Sequence, residues 1–214
     1  MRKKPNLIPR MERCAAWQVK APEELRGRWL ESFGGERLWI ELGCGKGRFT
    51  AGTAAQNPDC LIAAVERVPD AMVVAMERAK EARLPNVRFI DTDAAKLELI
   101  FAPGEADRIY INFCDPWPTK RHAKRRLTSP LFLASYKNVL RPGGEIHFKT
   151  DNLPLFEYSL EQFSEAGFTL TEICNDLHAS GPQGVMTDYE LKFAEQGIKI
   201  NRCVAVFGKD QSNG

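Results

Sequence analysis

The sequence is poor in the features that mark metal proteins, secreted proteins and membrane proteins. Its six cysteines include no C-x-x-C pair and its three histidines show no metal-ligand spacing, so we expect reduced thiols and no metal site. No apolar run approaches the ~20 residues of a membrane-spanning helix. The first 13 residues lack the apolar core of a secretory signal peptide. These absences favour a cytoplasmic protein without a membrane partner.

Net charge is also small, at +2 for 214 residues, and by itself it does not indicate nucleic acid. The distribution of charge is more informative. Residues 120–126 contain five Lys or Arg among seven positions, and residues 1–13 contain five more against the single acid Glu12. Two basic patches on a nearly neutral protein are what a local phosphate-binding surface requires, although a run of charges is also typical of a solvated face.

Short apolar runs alternate along the chain with stretches of helical pattern. Residues 70–83 and 154–166 carry apolar side chains at a spacing of about 3.6, which predicts helices. Strands that alternate with helices predict a parallel sheet covered on both faces. The last two runs leave little room for a helix between them, so we expect the sheet to end antiparallel. The seven predicted strands are residues 38–42, 61–65, 87–90, 109–113, 145–149, 169–174 and 203–207.

A glycine-rich turn, with Gly43, Gly45 and Gly47, follows the first predicted strand. Glycines let a backbone approach a ligand closely, and ligands of open α/β sheets bind beyond the carboxyl ends of the strands. A dinucleotide is one candidate, but its fingerprint is G-x-G-x-x-G, with a pyrophosphate at the helix N-terminus. Here the spacing is G-x-G-x-G, and Glu41 precedes the first glycine by two residues. A carboxylate there would repel a pyrophosphate and suits the sulfonium and amino group of S-adenosylmethionine.

Two more acids follow the next two predicted strands. Glu66 stands where a carboxylate would accept hydrogen bonds from both ribose hydroxyls, and Asp93 with Ala94 stands where the adenine amino group would be received. Each acid taken singly could cap a helix or lie in a solvated loop. Three acids at the ends of three consecutive strands, together with the turn, predict a site for S-adenosylmethionine.

The fourth predicted strand leads into Asp115-Pro116-Trp117-Pro118. This strand end is expected to face the donor methyl group, and the two prolines stiffen the loop. Trp117 either stacks on a base or packs in the pocket wall. A comparable loop, Asn/Asp-Pro-Pro-aromatic, marks enzymes that methylate exocyclic amines of bases, so that class stays open as an alternative.

The basic segment, which we define as residues 119–126, follows this loop directly. Because it adjoins the expected reaction site and precedes a helix predicted to begin near Pro130, contact with RNA phosphates is favoured over a plain solvated face. Arg recognises phosphate with a bidentate fork, whereas Lys acts as a point charge. The members of the basic segment are Thr119, Lys120, Arg121, His122, Ala123, Lys124, Arg125 and Arg126.

Taken in order, these motifs closely resemble those of the bacterial tRNA (guanine-N7-)-methyltransferases of the TrmB type. The resemblance covers about residues 35–207. Besides the glycine turn and the loop with the basic segment, it rests on Phe148-Lys149-Thr150-Asp151-Asn152 and on Thr187-Asp188-Tyr189-Glu190.

The resemblance implies a class I, Rossmann-like methyltransferase fold with a seven-stranded, mostly parallel sheet, an antiparallel last strand and helices on both faces. It implies methylation of guanine 46 in the tRNA variable loop, with S-adenosylhomocysteine as the second product. The implied donor contacts are Glu41, Glu66, Asp93 and Asp115. The implied RNA contacts are residues 121–126, with Asp151, Thr187, Asp188, Tyr189 and Glu190 around the target nucleotide. Asp151 has a second interpretation, as the cap of the next helix.

One departure from the family pattern is Thr119, where relatives usually carry a lysine, although Lys120 beside it can cover that contact. Asp115 is the residue that the resemblance implies to be catalytic. Guanine N7 carries a lone pair and no proton, so we expect direct in-line displacement. Asp115 is then expected to orient the base and stabilise its developing positive charge, and not to act as a general base.

The length predicts one domain. We expect a basic, flexible arm over residues 1–15, a single methyltransferase domain over residues 16–208 and a flexible tail over residues 209–214. The protein is expected to bind tRNA as a monomer or a homodimer. Two other functions stay open at this point, which are transfer to an exocyclic base amine and a non-catalytic RNA-binding module.

Overall fold

The centre of the molecule is a sheet of eight strands, counted within residues 6–208, the part of the chain that the computed structural model describes. In chain order the strands are β1 (Gln18–Val19), β2 (Arg37–Leu42), β3 (Cys60–Glu66), β4 (Val87–Asp91), β5 (Ala106–Asn112), β6 (Leu140–Thr150), β7 (Phe168–Cys174) and β8 (Asn201–Phe207). Their order across the sheet is β1-β4-β3-β2-β5-β6-β8-β7. Strand β8 runs opposite in direction to all the other strands of this sheet. The carboxyl ends of β2 to β6 therefore share one edge.

Helices pack on both faces of this sheet. They are α1 (Leu7–Arg13), α2 (Trp29–Phe33), α3 (Arg48–Gln56), α4 (Pro69–Glu81), α5 (Leu97–Ile100), α6 (Pro130–Val139), α7 (Leu153–Glu165) and α8 (Asp188–Glu195). Successive residues of β2 explain the two layers, because Leu38 and Ile40 belong to one buried cluster and Trp39 to the other. A strand that is apolar on both sides is stable only between two covering layers.

The predicted parallel sheet with an antiparallel strand is confirmed, with one correction to the number of strands. Strands β2 to β8 correspond to the seven predicted ones. The additional strand, β1, has two residues and pairs with β4 through Gln18↔Phe89 and Val19↔Ile90. Two residues carry no recognisable period, so this strand is defined by its partner and not by its local sequence.

A second correction concerns the segment between β7 and β8, where we expected too little room for a helix and where α8 lies. Thr187 Oγ1 accepts a hydrogen bond from the Glu190 backbone N–H, with N···O 2.9 Å. In return, Glu190 Oε2 accepts one from the Thr187 backbone N–H, with N···O 3.1 Å. This reciprocal pair is a capping box, and its Thr-x-x-Glu signature was a helix start that the sequence already contained.

At the amino-terminal end of the described range, α1 packs against α4. Arg10 forms a bidentate ion pair with Glu77, at 2.7 and 2.5 Å, and Lys80 Nζ donates to the Arg13 carbonyl at 2.7 Å. Of the arm predicted over residues 1–15, the described part is therefore docked on α4. Residues 1–5 and the predicted tail, residues 209–214, lie outside the described residues. No helix within residues 6–208 is long and apolar enough to cross a membrane.

Candidate active site

The glycine turn leaves β2 at Leu42 and enters α3 at Arg48, as expected. Its glycines have positive φ angles, at 75° for Gly43 and 74° for Gly47, in the left-handed region that side chains disfavour. Gly47 has a further constraint, because a Cβ atom there would lie 2.5 Å from the Cβ atom of Ala75 in α4. Gly47 is therefore needed for the close approach of α4 to the turn.

Changing Gly47 to alanine is expected to lower the free energy of unfolding by about 2 to 5 kcal/mol, the sum of a left-handed alanine and an overpacked contact. The matched control is Gly43→Ala, where φ is also positive but nothing lies within 4 Å of the added Cβ. That control is expected to cost only about 1 to 2 kcal/mol. Urea denaturation of both variants measures the difference, and equal losses would contradict the steric role of Gly47.

Three polar side chains on neighbouring strands share one face of the sheet beneath the turn. Glu41 lies opposite Tyr110, and Asn112 lies opposite Lys149 in the β5–β6 register. Glu41 is buried, accepts a hydrogen bond from Thr50 Oγ1 at 2.5 Å, and has its pKa raised by burial to about 7. Asn112 is buried as well, and neither atom of its side-chain amide makes a hydrogen bond. Burial lowers the pKa of Lys149, against the pull of Glu190.

Two more of the four predicted donor acids, Glu66 and Asp93, lie at the end of β3 and just after β4. Glu66 Oε2 accepts from the Gly45 backbone N–H at 2.8 Å, and Oε1 accepts from Val68 at 2.9 Å, so this carboxylate ties the glycine turn to β3. Asp93 accepts from the Ala95 backbone N–H at 2.9 Å, which makes it the cap of a short 3₁₀ helix that begins at Ala94. Lone pairs on both carboxylates are still available to a ligand.

The loop after β5 presents Asp115 at the same edge of the sheet. The Asp115 side chain is 71% exposed. Phe113 and Trp117, two residues to either side, have φ angles of 52° and 41°. Left-handed backbone at residues other than glycine is a strained conformation that is concentrated at functional sites. Arg126 fixes this conformation by donating to the Pro116 and Trp117 carbonyls, at 3.0 Å each.

The basic segment forms a 3₁₀ helix, Lys120–Arg125, directly after this loop. Thr119 Oγ1 and His122 Nδ1 are 3.0 Å apart and hydrogen-bond to each other. Arg126 is committed to the loop carbonyls and packs over the Tyr158 ring. Four cations of the segment are exposed and have no acidic partner within residues 6–208. They are Lys120, Arg121, Lys124 and Arg125.

The amino-terminal end of α8 forms the opposite wall of the site. A pocket of about 180 Å³ lies between this end and the glycine turn, and its lining includes Glu41, Asn112, Asp188 and Tyr189. Tyr189 is 63% exposed, whereas Glu190 is fully buried. Asp188 forms a bidentate ion pair with Arg78 of α4, at 2.8 and 3.2 Å. The donor turn and the segment expected to hold the target nucleotide therefore meet at one pocket.

Several predicted residues do not line this pocket, among them Glu66, Asp93, Ala94, Asp115, Glu190, Asp151, Gly47 and the basic segment. Gly47 packs against α4, and Asp151 lies exposed at the end of β6. The cap of α7 is Asn152, whose Oδ1 accepts from the Leu155 backbone N–H at 2.9 Å, so Asp151 is free of that role. Within residues 6–208, no group of three or more His, Cys, Asp or Glu side chains is placed to hold a metal ion.

Sequence reasoning missed several side chains of the site. Arg67 lies 3.8 Å from an Asp93 carboxylate oxygen and 4.0 Å from one of Asp115, so it stands between the two acids. Its place after a strand end was a usable signal. Asn112 and Lys149 enter the site through the pairing register of β5 and β6, which the local sequence does not specify. His178, which contacts Glu190, lies in an irregular loop and gave no signal.

A mostly parallel sheet with one antiparallel strand, a glycine turn and acids at successive strand ends define the class of protein, a Rossmann-like methyltransferase. The family model described as "Putative methyltransferase" matches residues 36–203. The chain is 49% identical over 191 residues to the tRNA (guanine-N(7)-)-methyltransferase of Streptococcus suis (strain 05ZYH33), covering 88% of this chain and 90% of that relative. The chain belongs to the family of bacterial tRNA (guanine-N7-)-methyltransferases.

A further relative agrees with this assignment, and a solved structure shares the fold. The tRNA (guanine-N(7)-)-methyltransferase of Listeria innocua serovar 6a is 46% identical over 209 residues, which cover 97% of this chain and 98% of that relative. Among solved structures, the 16S rRNA methyltransferase KamB superposes with a TM-score of 0.64 at 17% identity, covering 87% of this chain and 92% of that one. At this identity the structural likeness concerns the fold alone.

Proposed function

We propose that this protein transfers the methyl group of S-adenosylmethionine to N7 of guanine in tRNA, at position 46 of the variable loop. The observation that carries the proposal is the shared pocket, in which a glycine turn with a buried acid faces residues 187–189, and from whose lining residue Phe113 the chain continues into the Asp115 loop. It occurs in a chain nearly half identical to relatives named for this reaction. We expect the enzyme to work in the cytoplasm, where tRNA is available, as a monomer or a homodimer.

The residues around the glycine turn fit this donor. When bound, S-adenosylmethionine supplies a methyl group activated by a positively charged sulfonium. The buried Glu41 carboxyl, with a pKa of about 7, gains a counter-charge when a cation enters the pocket. The buried amide of Asn112 lies beside the Glu41 carboxyl and has no partner of good hydrogen-bond geometry, so it can donate to the carboxylate or accept from the ammonium of an amino acid. Glu66 and Asp93 lie where ribose and adenine are expected.

The acceptor side of the site needs no general base. Because N7 of guanine has an in-plane lone pair and no proton, the chain's task is to align the base with the methyl group and to stabilise the charge that moves onto the purine. We assign the second task to Asp115, whose exposed carboxylate is held by a stiff, strained loop. Asp151 and the exposed Tyr189 ring are assigned to the target nucleotide.

The basic segment is assigned to the tRNA backbone, with Lys120, Arg121, Lys124 and Arg125 as its four exposed cations, of which Arg125 lies over the Trp117 ring. If all four meet phosphates, log affinity for tRNA is expected to fall against log salt concentration with a slope of roughly −3. Changing Lys124 and Arg125 to glutamine is expected to reduce the magnitude of that slope by about 1.5 to 2. Filter binding over a salt series measures both slopes, and an unaltered slope in the variant would refute this assignment.

One experiment tests the proposed reaction. The protein is incubated with methyl-labelled donor and unmodified tRNA, and the product is cleaved with borohydride and aniline, which is selective for 7-methylguanine. We expect one cleavage at position 46, and no labelling of a matched tRNA that carries adenosine there. Labelled RNA that resists cleavage would refute N7 transfer and favour an exocyclic amine. Binding of tRNA without any labelling would favour a non-catalytic RNA-binding module.

A further inference from the structure

We propose that Lys149, His178 and Glu190, which we name the buried latch, position the acceptor wall of the pocket, residues 175–189, for the tRNA guanine. The inference rests on the proposed function for the identity of the substrate. The three latch side chains do not take part in the methyl transfer itself. Lys149 and His178 are accordingly positioning residues, because they act on the guanine through the segment they hold.

The latch joins three separate parts of the chain at one carboxylate. Glu190 Oε2 accepts a hydrogen bond from Lys149 Nζ of β6 at 2.7 Å, and Oε1 lies 3.0 Å from His178 Nε2 in the loop after β7. The Gln183 backbone N–H donates to His178 Nδ1 at 3.2 Å, which leaves the proton of a neutral ring on Nε2, facing Glu190. Every oxygen of the buried carboxylate is therefore satisfied.

Little else holds this wall in place. No residue between 175 and 189 is buried, and within α8 only Glu190 is buried. Apolar packing is correspondingly sparse here, and its contacts include those of Val185 with one core cluster and of Phe193 with Phe113. Lys149 Nζ also donates to the Val185 carbonyl at 3.3 Å, so a single ammonium anchors both the loop and the helix. A buried carboxylate that loses a hydrogen-bond or charge partner destabilises the protein strongly. The arrangement in which Glu190 keeps its partners is therefore the preferred position of the wall.

The position that the latch imposes is that of the pocket lining. Thr187, Asp188 and Tyr189 face the glycine turn across the pocket, directly before the latch carboxylate in the chain. The second anchor of this end of α8 is the ion pair between Asp188 and Arg78, which is partly exposed. Because exposed ion pairs contribute little, we infer that the latch is the stronger of the two anchors.

The test compares Lys149→Met with Arg78→Met, which removes a cation from the other, partly exposed anchor. For Lys149→Met we expect faster hydrogen exchange confined to residues 175–189 and a KM for tRNA raised by about tenfold. Lys149→Met also removes a charge that lowers the pKa of Glu41, so the affinity for S-adenosylhomocysteine is compared by calorimetry in His178→Ala, where that charge is kept and the affinity is expected to stay within about threefold. For Arg78→Met we expect less than about a threefold change in KM.

Two further variants keep the test decisive if Lys149→Met folds poorly. The double variant Lys149→Met/Glu190→Gln leaves no unpaired buried charge, and it should fold yet keep the raised KM and the local exchange. His178→Ala leaves the Lys149–Glu190 pair intact and should show the same changes more weakly. Unchanged exchange and KM in the double variant, or exchange raised evenly over the whole chain, would overturn the latch. Failure of the wild-type protein to methylate tRNA would instead refute the proposed function, while the exchange data would still test the latch.

Discussion

Replacing Asp115 with asparagine is expected to lower kcat on tRNA by about 100- to 1000-fold, the usual effect of removing one preorganised electrostatic group. Asparagine keeps the size and the hydrogen-bonding acceptor of the side chain but removes its negative charge. The positive charge that moves from sulfur to the purine would then lack its partner. Single-turnover reactions with saturating donor and tRNA measure this loss, whereas equilibrium titrations should give Kd values for both ligands within about threefold of the wild type.

Asp91 offers the matched control for this variant, because it is an exposed acid at the end of β4, on the same edge of the sheet, but lies outside the loop after β5 that carries Asp115. Asp91→Asn is expected to leave kcat unchanged within about twofold. If Asp115→Asn retained full turnover with unchanged binding, the charge-stabilising role would be wrong. A loss seen only in tRNA affinity would make Asp115 a binding residue instead.

The strained backbone around Asp115 is held in place by one arginine of the basic segment. Two left-handed residues, Phe113 and Trp117, persist because Arg126 holds the Pro116 and Trp117 carbonyls. Arg126 was expected from the sequence to contact RNA with the rest of the basic segment. In the structure its guanidinium holds the loop that carries Asp115, so it would link the proposed phosphate-binding surface to the carboxylate that we propose faces the base.

The parts of the fold that could be predicted are those whose signal is local. Strands β2 to β8 are apolar runs between turn signals, and a rule about strand ends correctly predicted that Glu41, Glu66, Asp93 and Asp115 lie at one edge of the sheet, while their contacts with the donor stay a prediction. The two-residue strand β1 has no such signal. The helix α8 had one, its capping box, but its eight residues are fewer than the window over which an apolar period can be recognised, and the helix was missed.

The parts of the site that could not be predicted depend on long-range pairing. Lys149 reaches Glu190 because it lies opposite Asn112 in the β5–β6 register, on the face of the sheet that α8 covers, and a shift of one residue would turn its side chain to the other face. Glu190 was expected to contact the target nucleotide, and in the structure it is fully buried against Lys149 and His178. Which polar group is buried, and which is exposed, is a property of packing and not of sequence spacing.

The affinity for S-adenosylmethionine is expected to rise with pH up to about 7 and then to level off, because the buried Glu41 must lose its proton to receive a cation. Burial raises its pKa from the ordinary value of 4.5 to about 7 in the free protein. A bound cation favours the ionised form, so affinity should fall about tenfold for each pH unit below 7. Calorimetry should therefore give a Kd about 100-fold weaker at pH 5 than at pH 8.

The same shift has the opposite consequence for the stability of the free protein. A carboxyl whose folded pKa is raised stabilises the fold fully only below its unfolded pKa, and this contribution is lost as pH rises from 4.5 through about 7. Glu41→Gln removes the titration, so at pH 8 the free variant should be more stable than the wild type by up to about 3 kcal/mol.

The affinity of Glu41→Gln for the donor should be weak and independent of pH, close to that of the wild type at pH 5. All other groups that titrate between pH 5 and 8 are still present in the variant. If the donor affinity of Glu41→Gln still depended on pH, that dependence would belong to one of those groups and not to Glu41. Higher stability together with lower affinity would show that the ionised Glu41 carboxylate destabilises the free protein and strengthens donor binding.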